Sequence, residues 1–286
     1  MNSTHLANLG SICFYGAGSM AEAIARGLIH KSVAAPEQIS MLNRSNQERL
    51  AYLTQQYGVL TGNSESDKDK YLSEASIIVL AMKPKDAKEA LSAIGPKLQE
   101  GQLIVSLIAG VSISTLQQLF GKNVPIARTM PNTSSSIGLG ATGISFSKET
   151  TEEHVQQVLS MFQSVGIVSV IPEEQMDILT GVSGSGPAYI YYMMEAMIAA
   201  GVEGGLTAEQ ARELTVQTVL GAASMMQETG EEPAKLRKDI TSPNGSTQAA
   251  LEVLADRDFT NAVKAAVHRC KERSFEMGQA VKEALQ

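Results

Sequence analysis

Ile12-Cys13-Phe14-Tyr15-Gly16-Ala17-Gly18-Ser19-Met20-Ala21 carries a short apolar run into two glycines and then into a helical pattern. The four apolar residues predict a buried strand, and Ser19 to His30 places apolar residues at helical spacing. Between them lies G-x-G-x-x-A. Gly16 permits the tight turn, Gly18 lets the backbone approach a pyrophosphate, and Ala21 keeps the helix close to the strand. The start of the helix offers unpaired N–H groups and the positive end of its dipole to phosphates. Strand before and helix after is the context that gives this pattern meaning. It predicts a dinucleotide site formed by Tyr15, Gly16, Ala17, Gly18, Ser19 and Met20 rather than a plain tight turn.

The alternation continues outward. Ile39 to Leu42 reads as a second strand and Gln47 to Tyr57 as a helix, then Ile77 to Ala81 as a strand, Ala87 to Leu98 as a helix, and Leu103 to Leu107 as a strand. Val124 to Arg128, Gly143 to Phe146 and Gly166 to Ile171 are further short strands. Strands alternating with helices predict an α/β domain with a parallel sheet covered on both faces. After Pro172 strand signals fade and helical runs take over, over Ala188 to Val202, from Thr207, from Gly245 to Ala255, and from Thr260 nearly to Gln286. The chain therefore divides near Pro172 into residues 1–172, α/β, and residues 173–286, all-α. Ala188 to Val202 is apolar nearly all round, with Glu195 its only charge. Such a helix must be buried on every side, which a partner subunit explains better than a core of about 115 residues.

The end of the second strand bears on the choice of cofactor. An NAD site places an Asp or Glu there for the ribose hydroxyls. This chain has Asn43-Arg44-Ser45, with no carboxylate, and Arg44 can stack on adenine or pair with a 2′-phosphate. NADP(H) is expected over NAD(H), the other reading of the segment being a solvated loop. Ligands sit outside the carboxyl ends of such strands. Asn63, Ala81-Met82-Lys83-Pro84 and Leu107-Ile108-Ala109 are therefore placed to reach ribose and nicotinamide, unless they are ordinary strand-to-helix turns.

Composition narrows the class. Of 286 residues, 43% are hydrophobic and 19% charged, and the net charge is −7. An acidic chain without a Lys/Arg stripe is not expected to bind nucleic acid. Cys13 and Cys270 lie too far apart in sequence to suggest a disulfide framework or a metal site, and two packed thiols fit a reducing cytoplasm. No apolar stretch reaches the ~18 residues of a membrane span, and no signal peptide is legible.

Two segments stand out in the second half. Ser183-Gly184-Ser185-Gly186-Pro187-Ala188-Tyr189 precedes the apolar helix. Thr241-Ser242-Pro243-Asn244-Gly245-Ser246-Thr247 leads into another and presents N–H groups and hydroxyls at a helix start, a ready carboxylate site. Simple N-capping by Ser246 or Thr247 explains the same residues equally well.

Taken together, GAGSMA (Gly16–Ala21), AMKP (Ala81–Pro84), RTMPNT (Arg128–Thr133), SGSGPAY (Ser183–Tyr189) and TSPNGSTQAALEVL (Thr241–Leu254) resemble the pyrroline-5-carboxylate reductase family. The match runs over nearly the whole chain and in order. It implies a Rossmann domain followed by a helical domain that interlocks in a homodimer or larger ring, and NADPH-dependent reduction of pyrroline-5-carboxylate to proline, the last step of proline biosynthesis. It also implies that Gly245, Ser246 and Thr247 hold the substrate carboxylate, that the Thr247 hydroxyl faces the ring nitrogen as the catalytic group, and that Glu173 lies on the substrate side. Asn43, Asn63, the AMKP segment and Leu107 to Ala109 would contact NADP. The family commonly has two glycines where this chain has Asn244-Gly245, and proline where it has Ser134.

The missing residues agree. Reducing a ketone creates an alkoxide, which calls for a His, Lys or Tyr acid within reach. His5, His30, His154 and His268 fall in none of these segments. A protonated cyclic imine is already an electrophile, and hydride arrival leaves a neutral amine, so positioning and a fitting electrostatic site suffice. A β-hydroxyacid dehydrogenase shares the domain plan and the glycines at 181, 184 and 186, but its catalytic lysine position is Ile190 here and its asparagine position Met194. An imine reductase with another substrate and a non-catalytic NADP-binding regulator remain as alternatives.

Overall fold

The computed structural model describes residues 8–284; His5 and the last two residues of the predicted final helix lie outside them. Two compact units divide the chain, one running through Ser185 and resuming at His268, the other Gly186–Val267.

The first unit is built on eight strands: β1 (Ile12–Tyr15), β2 (Ile39–Leu42), β3 (Leu60–Gly62), β4 (Ile77–Leu80), β5 (Leu103–Ser106), β6 (Ile126–Met130), β7 (Gly140–Phe146) and β8 (Gly166–Val170). Their order is β3-β2-β1-β4-β5-β6-β7-β8. The helices interleaved with them are α1 (Ser19–His30), α2 (Gln47–Tyr57), α3 (Glu65–Glu74), α4 (Ala87–Ile94), α5 (Ile113–Phe120), α6 (Glu152–Gln163) and the short α7 (Met176–Leu179). Side chains alternate across the pleat, so each strand feeds two cores. Ile12, Phe14, Ile77 and Val79 join Ile24, Leu28 and Phe162 on one face, while Cys13, Ile78 and Leu80 join Leu91, Leu116 and Phe120 on the other. Burial pushes the Cys13 thiol up to about 12, against a hydrogen bond with Ser40 that lowers it. That makes it a packing group rather than a nucleophile.

The sheet is parallel as expected except at one seam, where β6 and β7 run antiparallel. The link from Pro131 to Leu139 is shorter than the dozen or so residues that a parallel crossover needs. The predicted helix Ala87 to Leu98 ends at Ile94 and gives way to a 3-10 turn over Gly95–Lys97. Pro96 has no N–H to continue the ladder.

The second unit contains α8 (Gly186–Glu203), α9 (Ala208–Thr229), α10 (Pro233–Asp239), α11 (Ser246–Asp256) and the start of α12 (Phe259–Glu283). Thr207 and Gln210 form the capping box that opens α9. Gly201 lets α8 and α9 approach, since a Cβ there would stand 3.1 Å from the Ala211 methyl. The single chain does not bury α8. Tyr191, Tyr192, Met193 and Met197 are exposed, Tyr192 at 77%.

Candidate functional site

Backbone hydrogen bonds carry the ladder past the strand ends and set the expected cofactor loops side by side. Gly16 N–H donates to the Leu42 carbonyl (3.1 Å), Asn43 N–H to Gly62 (3.2 Å), Ala81 N–H to Tyr15 (3.0 Å) and Leu107 N–H to Leu80 (3.0 Å). The order changes direction around β1 and β4, the place where open α/β sheets bind ligands.

The glycine turn has the local geometry its sequence requires. Gly16 sits at φ +120°, and a Cβ there would lie 2.4 Å from the Ala81 carbonyl oxygen. Gly18 is the N-cap of α1 at φ −77° with no side-chain cap, and a Cβ added to it meets nothing within 4 Å. The space in front of Gly18 is therefore open, and Ser19 and Met20 begin the helix that follows it. A cavity of about 380 Å³ continues from Tyr15 and Gly16 past Asn43, Arg44 and Met82.

The β2–α2 loop is held from within. Asn43 Oδ1 accepts from Ser45 N–H (3.2 Å) and Asn46 N–H (3.1 Å), and Asn46 caps α2 through Arg49 N–H (2.9 Å). Arg44 and Ser45 stay exposed. Asn63 spends its N–H on Asp67 (3.2 Å). Lys83 precedes a 3-10 turn that begins at Pro84. Ile108 turns its side chain into the core at 2% exposure, so it offers a ligand only backbone, between the half-buried Leu107 and Ala109. Lys68 and Lys97 also line the cavity, each paired at 2.5 Å, with Glu65 and Asp69 respectively. The charge-dense sequence of α3 carries too weak an apolar stripe to place Lys68 beforehand, and Lys97 ends the 3-10 turn that replaces the last turn predicted for α4.

Glu173 is anchored beside α5. Its Oε1 accepts from Ile113 N–H (2.7 Å) and from Arg128 (3.1 Å). The Arg128 guanidinium, 7% exposed, also reaches Asp177 (3.3 Å), which accepts from the Ser274 hydroxyl (2.7 Å). Removing one partner of such a group strands the others. Arg128→Met is expected to lower the unfolding free energy by about 3 kcal/mol, the low end for a buried pair because both carboxylates keep some water. Urea unfolding checks this, and a loss under about 1 kcal/mol would place the group among surface pairs. Asn132 ties RTMPNT to SGSGPAY, its Nδ2 donating to the Ser183 carbonyl (3.0 Å) and its Oδ1 accepting from Ala141 N–H (3.2 Å).

In the second unit, Gly245 is the N-cap of α11 and no side chain caps it. Asn244 takes the left-handed conformation at φ +57°, which asparagine tolerates better than most residues. Its N–H donates to Gln248 Oε1 (2.9 Å). The Ser246 and Thr247 hydroxyls therefore do not cap, and the first-turn N–H groups remain available.

A glycine turn feeding a helix, at the carboxyl edge of a mainly parallel sheet, defines a dinucleotide-binding protein of the Rossmann type. A family model described as pyrroline-5-carboxylate reductase dimerisation matches residues 173–277. A second, described as NADP oxidoreductase, coenzyme F420-dependent, matches residues 11–110. The chain is 40% identical over 266 residues to pyrroline-5-carboxylate reductase 2 of Bacillus subtilis (strain 168), covering 93% of this chain and 94% of that one. It is 37% identical to the pyrroline-5-carboxylate reductase of Arabidopsis thaliana, over 93% and 95% of the two chains. Among solved structures, a pyrroline-5-carboxylate reductase from Coxiella burnetii superposes with a TM-score of 0.86 at 35% identity, covering 94% of this chain and 99% of that one. Pyrroline carboxylate reductase of Plasmodium falciparum, solved with NADP bound, gives 0.86 at 30% identity, over 95% and 99%. The chain belongs to the pyrroline-5-carboxylate reductase family.

Proposed function

We propose that this chain reduces 1-pyrroline-5-carboxylate to L-proline with NADPH as its preferred reductant, the last step of proline biosynthesis. The observation that carries the site assignment is the start of α11, where two hydroxyls and the first-turn N–H groups have no capping role to perform. That arrangement suits a carboxylate. Gly245 and Ser246 bind it, and Thr247 adds its hydroxyl, which orients the ring nitrogen. NADPH, when bound, would supply a hydride to the imine carbon, the ring carbon doubly bonded to nitrogen rather than the one bearing the carboxylate; a protonated imine so reduced is a neutral secondary amine, so no side chain has to neutralise an alkoxide. The chain's task is to hold and orient, with Glu173 at the substrate side.

Tyr15 to Met20, Asn43, Arg44, Ser45, Asn63, Ala81 to Pro84 and Leu107 to Ala109 form the cofactor side. The absence of a carboxylate after β2, and the exposed Arg44 in its place, support NADP over NAD. A second copy covers the apolar face of α8, whose exposed tyrosines and methionines are costly to leave in water. The enzyme works in the cytoplasm, where its two thiols stay reduced.

The direct test is NADPH oxidation with pyrroline-5-carboxylate, run beside NADH. Binding of NADPH without turnover would point to a regulator instead. Arg44→Ala is expected to lower kcat/KM with NADPH about ten-fold while leaving the NADH value nearly unchanged, the scale of one charge-assisted phosphate contact. A preference for NADH in the unaltered protein would overturn the assignment of Arg44.

A further inference from the structure

Arg49 lies on the first turn of α2, outside every motif that marks the cofactor site, yet its side chain reaches back to the glycine turn. Its Nε donates to the Ala17 carbonyl (2.9 Å). Its Nη2 pairs with Glu22 on α1 at 2.5 Å. Glu22 in turn accepts from the hydroxyls of Tyr57 (2.7 Å) and Tyr52 (3.3 Å). Tyr52 sits edge-on to Tyr57 with centroids 6.4 Å apart, and the Arg49 guanidinium lies 5.5 Å from the Tyr52 ring. Burial works to raise the Glu22 carboxyl, but the bonds from Tyr57 and Arg49 and the arginine charge outweigh it and hold it below the ordinary glutamate value. Burial first, and the bond to Glu22 next, push Tyr57 up to about 12. The carboxylate therefore stays an acceptor and the phenol a donor across neutral pH.

The Ala17 carbonyl shares one peptide plane with the Gly18 N–H. In a trans peptide the two point in opposite directions. Gripping the carbonyl from the α2 side turns the Gly18 N–H away from it, and among the described residues that N–H donates to no backbone or side-chain group. A charged donor on the carbonyl also polarises the peptide and strengthens its N–H as a donor.

We infer that Arg49, oriented by Glu22 and Tyr57, is a positioning residue that aims the Gly18 N–H at the cofactor pyrophosphate. The inference rests on the cofactor reading given above. It separates Arg49 from Arg44, because every nicotinamide dinucleotide has the pyrophosphate and only NADP has the 2′-phosphate.

The test titrates NADPH and NADH against the full-length protein and its Arg49→Met, Arg49→Lys and Glu22→Gln variants, with thermal unfolding alongside. Arg49→Met is expected to raise Kd for both cofactors by the same factor, about ten-fold, with the loss in turnover sitting in the cofactor KM. Arg49→Lys should recover part of that affinity, and Glu22→Gln should show a smaller loss with the same indifference to the 2′-phosphate. A lower Tm with both Kd values unchanged would make the cluster a mere α1–α2 brace and overturn the inference. Weakening of NADPH alone would also overturn it, by making Arg49 a reader of the 2′-phosphate. If the unaltered protein bound neither cofactor, the cofactor reading itself would be the one to fail.

Discussion

Gly18→Ala is expected to leave the unfolding free energy within about 0.5 kcal/mol of the unaltered protein while weakening NADPH binding about a hundredfold, because the added methyl holds the pyrophosphate off the turn. Gly16→Ala is expected to damage both. The two glycines stand two residues apart, but the structure gives them opposite reasons for lacking a side chain. Gly18 has φ −77° and ψ −179°, a conformation open to alanine, and its added methyl meets no protein atom within 4 Å. On the cofactor reading proposed above, the methyl would stand where the turn faces a pyrophosphate, and the ligand alone would feel it. Gly16 has φ +120°, and its added methyl lies 2.4 Å from the Ala81 carbonyl oxygen. That oxygen cannot retreat freely, since Ala81 is itself held by its N–H to the Tyr15 carbonyl. A residue forced into such a conformation costs about 1–3 kcal/mol, and the clash adds to it. Urea unfolding and a fluorescence titration of NADPH on the same samples separate the two cases. If Gly18→Ala binds NADPH normally, the dinucleotide does not cross this turn.

That difference could not be read from the motif, which writes both positions as glycine. What the sequence did expose was whatever depends on local periodicity or on a special backbone. The apolar run Ile12–Tyr15, the stripe of α1 and the capping box at Thr207 all appear where the pattern puts them. β3 and α3 leave little trace. The strand is three residues long, and ESDKDKYLSE buries only Leu72, so α3 is set by its Ser64–Asp67 capping box and by packing on the sheet. The strand ends were legible as neighbours along one edge, because Rossmann topology fixes which edge carries them. Arg49 was not, since its role lies in a contact with Ala17 thirty-two residues away, and nothing in the helical spacing of α2 marks it. Whether Ser246 and Thr247 cap α11 could not be read either, since it depends on whether their hydroxyls fold back on N–H groups, and they do not.

Thr247→Ala is expected to lower kcat/KM for pyrroline-5-carboxylate about a hundredfold, the scale of losing one preorganised donor at a reacting centre, while the Kd for NADPH stays within about two-fold. The hydroxyl sits on the first turn of α11 in the second compact unit, whereas the glycine turn and the β2–α2 loop belong to the first. Chemistry and cofactor affinity should therefore respond to different residues. The substitution itself is mild. Thr247 is half-buried, its hydroxyl caps nothing, and alanine is the better helix former, so α11 should be no less stable and a loss of rate cannot be charged to unfolding. Ser246→Ala removes the neighbouring hydroxyl but leaves the backbone N–H groups, so its main effect should fall on the substrate KM. Thr247→Ser, which keeps the hydroxyl, should restore most of the rate. If NADPH affinity and turnover fell together in Thr247→Ala, the division of labour between the two units would be wrong. If neither fell, the start of α11 would hold no substrate, and the acid-group cradle would have to be sought elsewhere in the fold.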